Sequence, residues 1–296
     1  LDKCLRQDTN SRGAIKVLGG NGIITITGEL TTKAYVNIRD IAKNIVGDKY
    51  GVQVNVIEQS PEIANGVDTG GAGDQGIMVG YACNDNEAMI PQELYLARSL
   101  CKFIYEKYPY DGKTQVTLND NNEITSIVAS FQNVTQDRLL LVVDEWYEDK
   151  PTVEGGIDLF VNPAGDWNIG GFEADTGVTG RKLAVDNYGP QIPIGGGAFS
   201  GKDATKVDRT GAYMARKIAV KILKEQNAKE VLVKLAYAIG VAEPVMATAK
   251  IDGLSIDLVK EGLTPKEMIE ALDLRKPQFQ ETAKWGHMGN GFTWDK

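Results

Sequence analysis

The chain has 296 residues, of which 42% are hydrophobic and 24% are charged, and this composition excludes wholesale disorder, a collagen-like repeat and a coiled coil. With 40 acidic and 32 basic residues the formal charge is −8, opposite to the usual balance of a duplex-binding protein, so we expect no nucleic-acid partner. Apolar runs fall short of the roughly 18 residues that a membrane span needs, and the three cysteines lack metal-ligand spacing. We therefore expect no membrane partner and a cytoplasmic protein with free thiols.

Strand and helix signals alternate along the first half of the chain. Residues 23–27 and 52–56 alternate apolar and polar side chains, as half-buried strands do. A glycine- and proline-rich stretch follows over residues 60–76, and the next predicted helix covers residues 91–107. Between the two strands, side chains at helical spacing predict one amphipathic helix: Tyr35, Ile38, Ala42 and Ile45.

The second half continues the alternation. Residues 114–119 and 123–131 predict a hairpin, and residues 139–147 predict a helix. A second glycine-rich stretch runs over residues 165–201, and residues 231–239 predict a buried strand. Small and apolar side chains between these two segments predict a further helix: Ala212, Ala215, Ala219 and Ile222.

Strand pairs followed by helices favour an α+β fold. A capping box with proline at its first helical position, TPKE at residues 264–267, opens the last predicted helix. We expect three units, over residues 1–70, 71–169 and 170–296. The chain opens at Leu1 in what reads as the middle of a helix, so we expect a further stretch ahead of it.

Two glycine-rich stretches match nucleotide-binding motifs only in part. GAGDQG at residues 71–76 fits a dinucleotide fingerprint, but residues 66–70 give no strand signal leading into it, so a glycine-rich loop is favoured. GGAFSGK at residues 196–202 fits most of a P-loop. The next residue is Asp203, where magnesium binding needs a Ser or Thr hydroxyl. We predict instead that Asp203 caps the following helix.

Basic side chains concentrate around the second glycine-rich stretch. Arg181 and Lys182 share one loop, while Lys202 and Lys206 are spaced i,i+4 and are predicted to share one face at the start of the next helix. Cations mixed with carboxylates suit a polyphosphate that carries magnesium. A solvated charged face is the alternative, and the glycine-rich setting favours the binding site. Further charged residues of this kind are Asp111, Lys113, Asp175, Asp208 and Arg209.

These stretches resemble motifs of the S-adenosylmethionine synthetase family. Residues 71–82 resemble its hexapeptide-containing loop, and residues 195–209 resemble its glycine-rich phosphate motif, with Ala204 where proline is usual. Further similarity follows in family order over essentially the whole chain, at residues 28–32, 59–63, 179–182, 237–244 and 281–289. The resemblance implies three similar α+β units with pseudo-threefold symmetry. It also implies a homodimer, or a dimer of dimers, that buries sheet faces and forms active sites between subunits.

The resemblance further implies a reaction. Methionine sulfur attacks C5′ of ATP, and the triphosphate that leaves is hydrolysed to diphosphate and phosphate before release. A thioether is a weak nucleophile, so alignment and stabilisation of the departing charge would carry the catalysis. ATP, L-methionine and Mg²⁺ are therefore the implied ligands.

The family's functional residues map onto positions of this chain. By resemblance, Lys202, Arg181 and Lys113 would be catalytic, and Asp208 would bind Mg²⁺. Asp74 lies in the hexapeptide-containing loop. The implied ATP contacts are Asp111, Lys113, Trp167, Arg181, Lys182, Lys202 and Lys206, with Trp167 stacked on adenine. The implied methionine contacts are Glu29, Gln59, Asp175 and Ile239.

Each of these roles has a structural alternative. Trp167 could pack in a core, and Asp74 could only organise its loop by local hydrogen bonds. Glu29 could be a surface charge at a strand end, and Gln59 a turn residue. His287 is the only histidine, and we expect it to be structural.

Three departures from the family pattern bear on activity. The family's His-Pro-Asp-Lys motif is not in this sequence; we expect it upstream of Leu1, and the alternative is a non-catalytic partner subunit without the catalytic histidine. Lys16 occupies the position of the family's potassium-binding glutamate, so we expect K⁺ not to be required, unless Lys16 simply points to solvent. Residues 59–73 are shorter than the family's mobile lid, which predicts that the lid closes less completely over the substrates and lets solvent or product escape faster.

Overall fold

The computed structural model describes residues 1–59 and 70–296. These residues form two compact units, a larger one of Leu1–Ile90 with Gly177–Lys296 and a smaller one of Pro91–Thr176. Each unit combines helices with sheets, which confirms the α+β class. The division into three units over residues 1–70, 71–169 and 170–296 stays a prediction.

The first sheet of the larger unit has the strand order β3-β2-β1-β8. β1 (Arg12–Gly20) and β2 (Ile23–Thr31) form an antiparallel hairpin, and β3 (Gly51–Ile57) pairs parallel to β2. The hairpin turn at Asn21 and Gly22 has positive φ at both residues, as a tight two-residue turn requires. The remaining elements here are α1 (Asp2–Leu5), α2 (Ile38–Val46) and β8 (Gly177–Val178).

The parallel pair β2 and β3 is joined through α2, where the sequence predicts a helix. The prediction is wrong in detail: Tyr35 precedes the helix and is 85% exposed, and Ile45 is 76% exposed. Within the helix only Ala42 is buried. Asn37 caps the helix by accepting a hydrogen bond from the Asp40 N–H, so the helix begins after Tyr35.

The second sheet of the larger unit has the order β11-β10-β9-β4 and is antiparallel throughout. A long helix, α6 (Val207–Gln226), packs on β4 and β9. The two backbones approach closely at Gly80, where a Cβ atom would lie 2.0 Å from the carbonyl carbon of Ala215. The strands are β4 (Gly76–Cys83), β9 (Glu230–Tyr237), β10 (Met246–Ile251) and β11 (Leu254–Asp257).

Strand β9 ends at Tyr237, two residues before the predicted end at residue 239. The chain turns there, because the Val241 N–H donates to the Ala238 carbonyl. The predicted capping box is confirmed: Thr264 accepts from the Glu267 N–H ahead of α7 (Pro265–Ala271). The larger unit also contains α5 (Leu183–Asp186), α8 (Phe279–Thr282) and a short 3₁₀ helix (Thr293–Asp295).

A buried ion pair ties the end of the chain to α6. The fully buried Arg216 contacts Asp295 at 3.0 Å through Nε, and its other nitrogens donate to the carbonyls of Tyr81, Ala88 and Met89. These acceptors give the buried guanidinium the hydrogen bonds that it needs.

The smaller unit has one sheet of order β5-β6-β7. The predicted hairpin is confirmed, since β5 (Gly112–Leu118) pairs antiparallel with β6 (Ile124–Phe131). The helices predicted over residues 91–107 and 139–147 are also confirmed, as α3 (Gln92–Lys107) and α4 (Gln136–Tyr147). The remaining elements are β7 (Asp158–Val161) and a 3₁₀ helix (Gly171–Glu173). The core residues include Leu100, Ile127, Phe131, Val143 and Trp146.

Two further predictions concern the cysteines and membrane spans. Cys4, Cys83 and Cys101 are free thiols, as predicted, and burial raises the pKa of Cys83 to about 12. None of the helices in the described part of the chain is both long and apolar enough to cross a membrane.

Candidate functional site

The glycine-rich loop ahead of α6 contains a tight turn over residues 199–202. The Lys202 N–H donates to the Phe199 carbonyl at 3.2 Å. Gly201 has φ +87°, and a Cβ atom there would lie 1.9 Å from the Ile15 carbonyl oxygen. Since the Ile15 N–H in turn donates to the Gly201 carbonyl at 2.8 Å, the turn is fixed against the edge of β1. Only glycine fits this position.

Lys202 and Asp208 form an ion pair at the base of this loop, in which Lys202 is half-buried and Asp208 is buried. Lys202 Nζ lies 2.9 Å from Asp208 Oδ2, with 25% and 12% of the two side chains exposed. The other carboxylate oxygen accepts a hydrogen bond from the Gly197 N–H at 2.7 Å. A cation and a carboxylate are thus held in place beside backbone amide groups, an arrangement that suits an anion bound together with a metal ion.

The prediction that Asp203 caps the following helix is wrong. Helix α6 begins at Val207, and its N-cap residue is Lys206. The Asp203 carboxylate instead accepts hydrogen bonds from the N–H groups of Gly13 at 2.9 Å and Thr205 at 2.7 Å. These two amide groups satisfy the carboxylate before the helix starts.

The i,i+4 spacing predicts that Lys202 and Lys206 share one helical face, and this prediction is wrong. Both precede α6, and each faces a different carboxylate. Lys206 Nζ lies 3.6 Å from Asp203, whereas Lys202 pairs with Asp208.

The turn that carries Arg181 and Lys182 packs against the glycine-rich loop. Thr179 exchanges hydrogen bonds with Val17 on β1, at 2.9 and 3.0 Å. A Cβ atom at Gly180 would lie 2.4 Å from Ala198 Cβ, so the two loops are in close contact. Arg181 and Lys182 are exposed and form no ion pair with any residue that the structure describes. Their charges are therefore available to an anion at this loop pair.

Lys16 and Glu29 lie on one face of the first sheet. Ala14 pairs with Glu29 and Lys16 with Thr27, so the two charged residues are diagonal neighbours on the face opposite the buried Ile24 and Ile26. Lys16 is exposed, Glu29 is half-buried, and neither forms an ion pair within residues 1–59 and 70–296. The exposed Lys16 side chain agrees with both of its predicted alternatives.

Gln59, at the end of β3, is buried with 9% exposure. Its N–H donates to Thr31 Oγ1 at 3.3 Å, while its side-chain oxygen Oε1 lacks a hydrogen-bond partner among the described residues. A buried acceptor left unpaired costs about 1–3 kcal/mol. A ligand that donates a hydrogen bond here would recover this cost.

The loop with Asp74 runs beside the segment with Ile239. The Ala72 N–H donates to the Val241 carbonyl at 3.0 Å, and the Gly240 N–H donates to the Ala72 carbonyl at 2.8 Å. Ile239 is 63% exposed. Asp74 is exposed and accepts from the neighbouring Gln75 N–H at 2.8 Å, a local bond of the kind that the structural alternative predicts.

The other four predicted residues lie in the smaller unit. Asp111 accepts a hydrogen bond from the Gly171 N–H at 2.7 Å, and Lys113 is exposed on β5. Trp167 is half-buried and outside the hydrophobic core of this unit, which disfavours core packing as its role. Asp175 is exposed, and its carboxylate accepts from the Thr176 N–H at 2.7 Å.

A cleft of about 600 Å³ in the larger unit is lined by other residues. It contains the basic side chains of Arg12, Lys33, Lys266 and Arg275 together with Thr205, and includes none of the predicted site residues.

The motif GAGDQG at residues 71–76 runs into strand β4 rather than a helix, so it is not a dinucleotide fingerprint.

The structure contains a polar contact, between the glycine-rich loop and the C-terminal segment, that the sequence patterns do not predict. His287 is 1% exposed and contacts Ser200 Oγ at 3.2 Å and Tyr213 OH at 2.7 Å. Burial raises the pKa of Tyr213, so its phenol stays neutral. His287 lies in a recognisable motif, but it is 74 residues from Tyr213 in the chain, so spacing gives no signal of their contact.

Comparison with known proteins places this loop system in one family. Residues 69–167 match the model of the S-adenosylmethionine synthetase central domain, and residues 169–296 match that of its C-terminal domain. S-adenosylmethionine synthase of Brachyspira hyodysenteriae is 37% identical, with 100% of this chain and 90% of the relative covered. The Helicobacter pylori protein of the same name is 39% identical, at 100% and 89% coverage.

A solved structure described as an unusual S-adenosylmethionine synthetase from Campylobacter jejuni is similar over the same length. Its TM-score is 0.85 at 31% identity, covering 100% of this chain and 90% of that one. Both domain models and full-length relatives agree on one activity. The chain belongs to the S-adenosylmethionine synthetase family of methionine adenosyltransferases.

Proposed function

We propose that the chain makes S-adenosylmethionine by attack of methionine sulfur on C5′ of ATP, releases triphosphate, and hydrolyses it to diphosphate and phosphate. The observation that carries this proposal is the paired loop of the larger unit. There the Arg181 turn packs on the loop of Lys202, which pairs with Asp208 at the start of α6. A triphosphate leaving group carries several negative charges, and fixed cations stabilise that charge more than mobile solvent does.

The cations have separate roles in this proposal. Lys202, Arg181 and Lys113 would stabilise the charge that develops on the leaving triphosphate. Lys182 and Lys206 would bind the phosphates, with Lys206 held by Asp203 at 3.6 Å. The catalytic contribution then comes from preorganised charge and alignment, since a neutral thioether needs no general base.

Asp208 fits a magnesium site in which the substrate supplies further ligands. Among the described residues no cluster of three metal-binding side chains occurs. Mg²⁺ is commonly held by one or two carboxylates together with substrate phosphates and water, so one buried carboxylate beside a phosphate loop suits it. When bound, the ion would neutralise charge on the triphosphate. Asp208 would hold it, and Lys202 would orient that carboxylate.

Methionine would bind through Glu29, Gln59, Asp175 and Ile239. The unpaired buried oxygen of Gln59 supports this assignment, because the substrate's ammonium group would supply the missing donor. The exposed Ile239 side chain offers apolar contact for the thioether chain. Asp74, whose loop runs beside residues 239–241, would keep that segment in position.

Adenosine would contact Trp167 and Asp111. The half-buried indole lies outside the core, so its flat face is available for stacking on adenine. Asp111 is held by the Gly171 N–H and still has acceptor capacity for the nucleoside.

Lys16 would make potassium unnecessary. An ammonium group supplies the positive charge that a bound K⁺ supplies elsewhere in the family, and a second cation beside it would be repelled. The predicted lid over residues 59–73 falls mainly outside the described residues, which omit 60–69, and stays a prediction.

We further propose a cytoplasmic homodimer, or a dimer of dimers, with active sites at the subunit interface. Exposed apolar side chains on the sheet face that carries Glu29 support this proposal. Leu18, Ile23 and Ile57 are 45%, 46% and 64% exposed there. Single subunits rarely leave such faces open to water.

The test is product formation by the full-length protein from ATP, L-methionine and Mg²⁺. Chromatography measures S-adenosylmethionine, and phosphorus NMR follows triphosphate, diphosphate and phosphate. We expect one sulfonium product for each ATP consumed, with diphosphate and phosphate as final anions. Triphosphate binding without any product would instead support the non-catalytic partner subunit.

A further inference from the structure

A chain of buried polar side chains leads from α6 to the glycine-rich loop. Arg209 Nη1 donates to Tyr213 OH at 3.3 Å, Tyr213 OH lies 2.7 Å from His287 Nδ1, and His287 Nε2 lies 3.2 Å from Ser200 Oγ. The first three residues are each at most 1% exposed, whereas Ser200 is only half-buried. The chain therefore runs from a buried guanidinium to a hydroxyl at the edge of the loop.

Each ring nitrogen of His287 faces one hydroxyl group, Nδ1 that of Tyr213 and Nε2 that of Ser200. Tyr213 OH also accepts from Arg209 Nη1. With the His287 proton on Nε2, the Tyr213 proton points to Nδ1, Nε2 donates to Ser200 Oγ, and the Ser200 proton points away from His287.

The same guanidinium also holds the turn that contains Ser200. Arg209 donates to the Phe199 carbonyl through Nε at 2.9 Å and through Nη2 at 2.5 Å. Ser200 is the second residue of that turn, two positions before Lys202. Buried side chains therefore contact both the backbone of the turn and its hydroxyl group.

We propose that His287 holds its proton on Nε2 and is thereby a positioning residue, which directs the Ser200 hydroxyl proton towards a phosphate oxygen of the polyphosphate bound at the glycine-rich loop. This inference rests on the proposed function, since it assigns one more hydrogen-bond donor to the same anion. Hydrogen bonds to charged groups are about twice as strong as neutral ones, so a fixed donor at this place raises affinity for triphosphate.

Two amide variants separate the two nitrogens of His287. His287→Gln places an amide nitrogen near the position of Nε2 and keeps the donor to Ser200. His287→Asn places its amide near Nδ1, keeps the contact with Tyr213 and loses Ser200. Tripolyphosphate with Mg²⁺ serves as the probe in calorimetry, and initial rates give separate KM values for ATP and methionine.

We expect His287→Asn and Ser200→Ala to weaken tripolyphosphate binding and raise the KM for ATP about tenfold, the usual effect of one hydrogen bond to a charged group. His287→Gln should stay within about threefold of the wild type, because it retains the donor. The KM for methionine should not change. Tyr81→Phe is the control, since it removes a hydroxyl bonded to Glu230 at 3.0 Å elsewhere in the same unit.

Equal affinities for His287→Asn, His287→Gln and the wild type would overturn the proposal. Unchanged tripolyphosphate binding by Ser200→Ala would also overturn it. This variant removes only the half-buried hydroxyl group at the end of the row of polar side chains, so its result does not depend on how the His287 variants fold. A wild-type protein that neither binds tripolyphosphate nor forms product would overturn the proposed function as well. Wild-type binding with unaffected variants would overturn the positioning role alone.

Discussion

Lys202 is the side chain whose loss we expect to affect catalysis most. Its ammonium group is held against Asp208 at 2.9 Å and its side chain is only 25% exposed, so the charge can act without having to reorient. Lys202→Met should lower kcat about 10²–10³-fold, as removal of one preorganised charge-stabilising group does. Steady-state formation of S-adenosylmethionine measures this change.

The control is Lys221→Met, which removes an equal charge from α6. Lys221 is 68% exposed and lies 3.8 Å from Glu225, a surface pair that contributes little. Unchanged turnover in Lys221→Met with a large loss in Lys202→Met is the expected pattern. A similar small loss in both variants would show that net charge, and not the site, controls turnover.

Lys16 leads to a second prediction at the residue scale. The wild-type rate should change little with K⁺, whereas Lys16→Glu should make it K⁺-dependent. The introduced carboxylate would lie diagonal to Glu29 on the same sheet face, about 7–8 Å away, and two carboxylates there attract a cation. Rates in potassium chloride and in tetramethylammonium chloride, at equal ionic strength, test this. Strong stimulation of the wild-type rate by K⁺ would contradict the prediction that the Lys16 ammonium group takes the place of the ion.

At the residue scale, spacing identified charges but not their partners. The sequence placed Lys202, Lys206, Asp203 and Asp208 in one motif, and it predicted a shared helical face for the two lysines and a helix cap for Asp203. The structure instead gives two separate pairs, because Asp203 is bound by the Gly13 N–H from β1. That contact joins residues 190 positions apart, and local pattern carries no information on it.

At the element scale, close packing of α6 on β4 depends on Gly80. A Cβ atom there would lie 2.0 Å from the Ala215 carbonyl carbon, and helix backbone cannot move aside as a flexible side chain can. Gly80→Ala should lower the free energy of unfolding by about 1–3 kcal/mol or more, as overpacking does. Urea denaturation followed by circular dichroism measures it.

Gly51→Ala is the matched control on another strand. The nearest atom to its added Cβ would be 3.7 Å away, an ordinary contact, and its φ is not in the left-handed region. We expect its stability to stay within about 0.5 kcal/mol of the wild type. Equal free energies of unfolding for Gly80→Ala and Gly51→Ala would mean that α6 moves away from β4 without a loss of stability.

Most elements could be predicted because their signals are local. The hairpin of β5 and β6, helices α3 and α4, and the capping box of α7 follow from alternation, helical spacing and side-chain caps. The errors occur where a tertiary contact competes. Strand β9 ends early because residues 238–241 turn back to pair with Ala72, and Tyr35 is excluded from α2 by the Asn37 cap.

At the scale of the whole molecule, the proposed assembly leads to the last prediction. Leu18→Glu places a charge on the exposed face of the first sheet, where Leu18 is 45% exposed. A buried unpaired charge disfavours association strongly, so the dimer should dissociate at concentrations where the wild type stays assembled. Analytical ultracentrifugation measures this. Specific activity should fall on dilution and recover at high protein concentration, because each site needs both subunits.

Leu141→Glu is the control for this experiment, since Leu141 is 69% exposed on α4, outside that sheet. Leu141→Glu changes the net charge by the same amount as Leu18→Glu, so a difference between the two variants comes from the position of the charge. Dissociation of Leu18→Glu alone would identify the sheet face as the interface. A monomeric wild type with full activity at every concentration would contradict the assembly and would place a complete active site within one subunit.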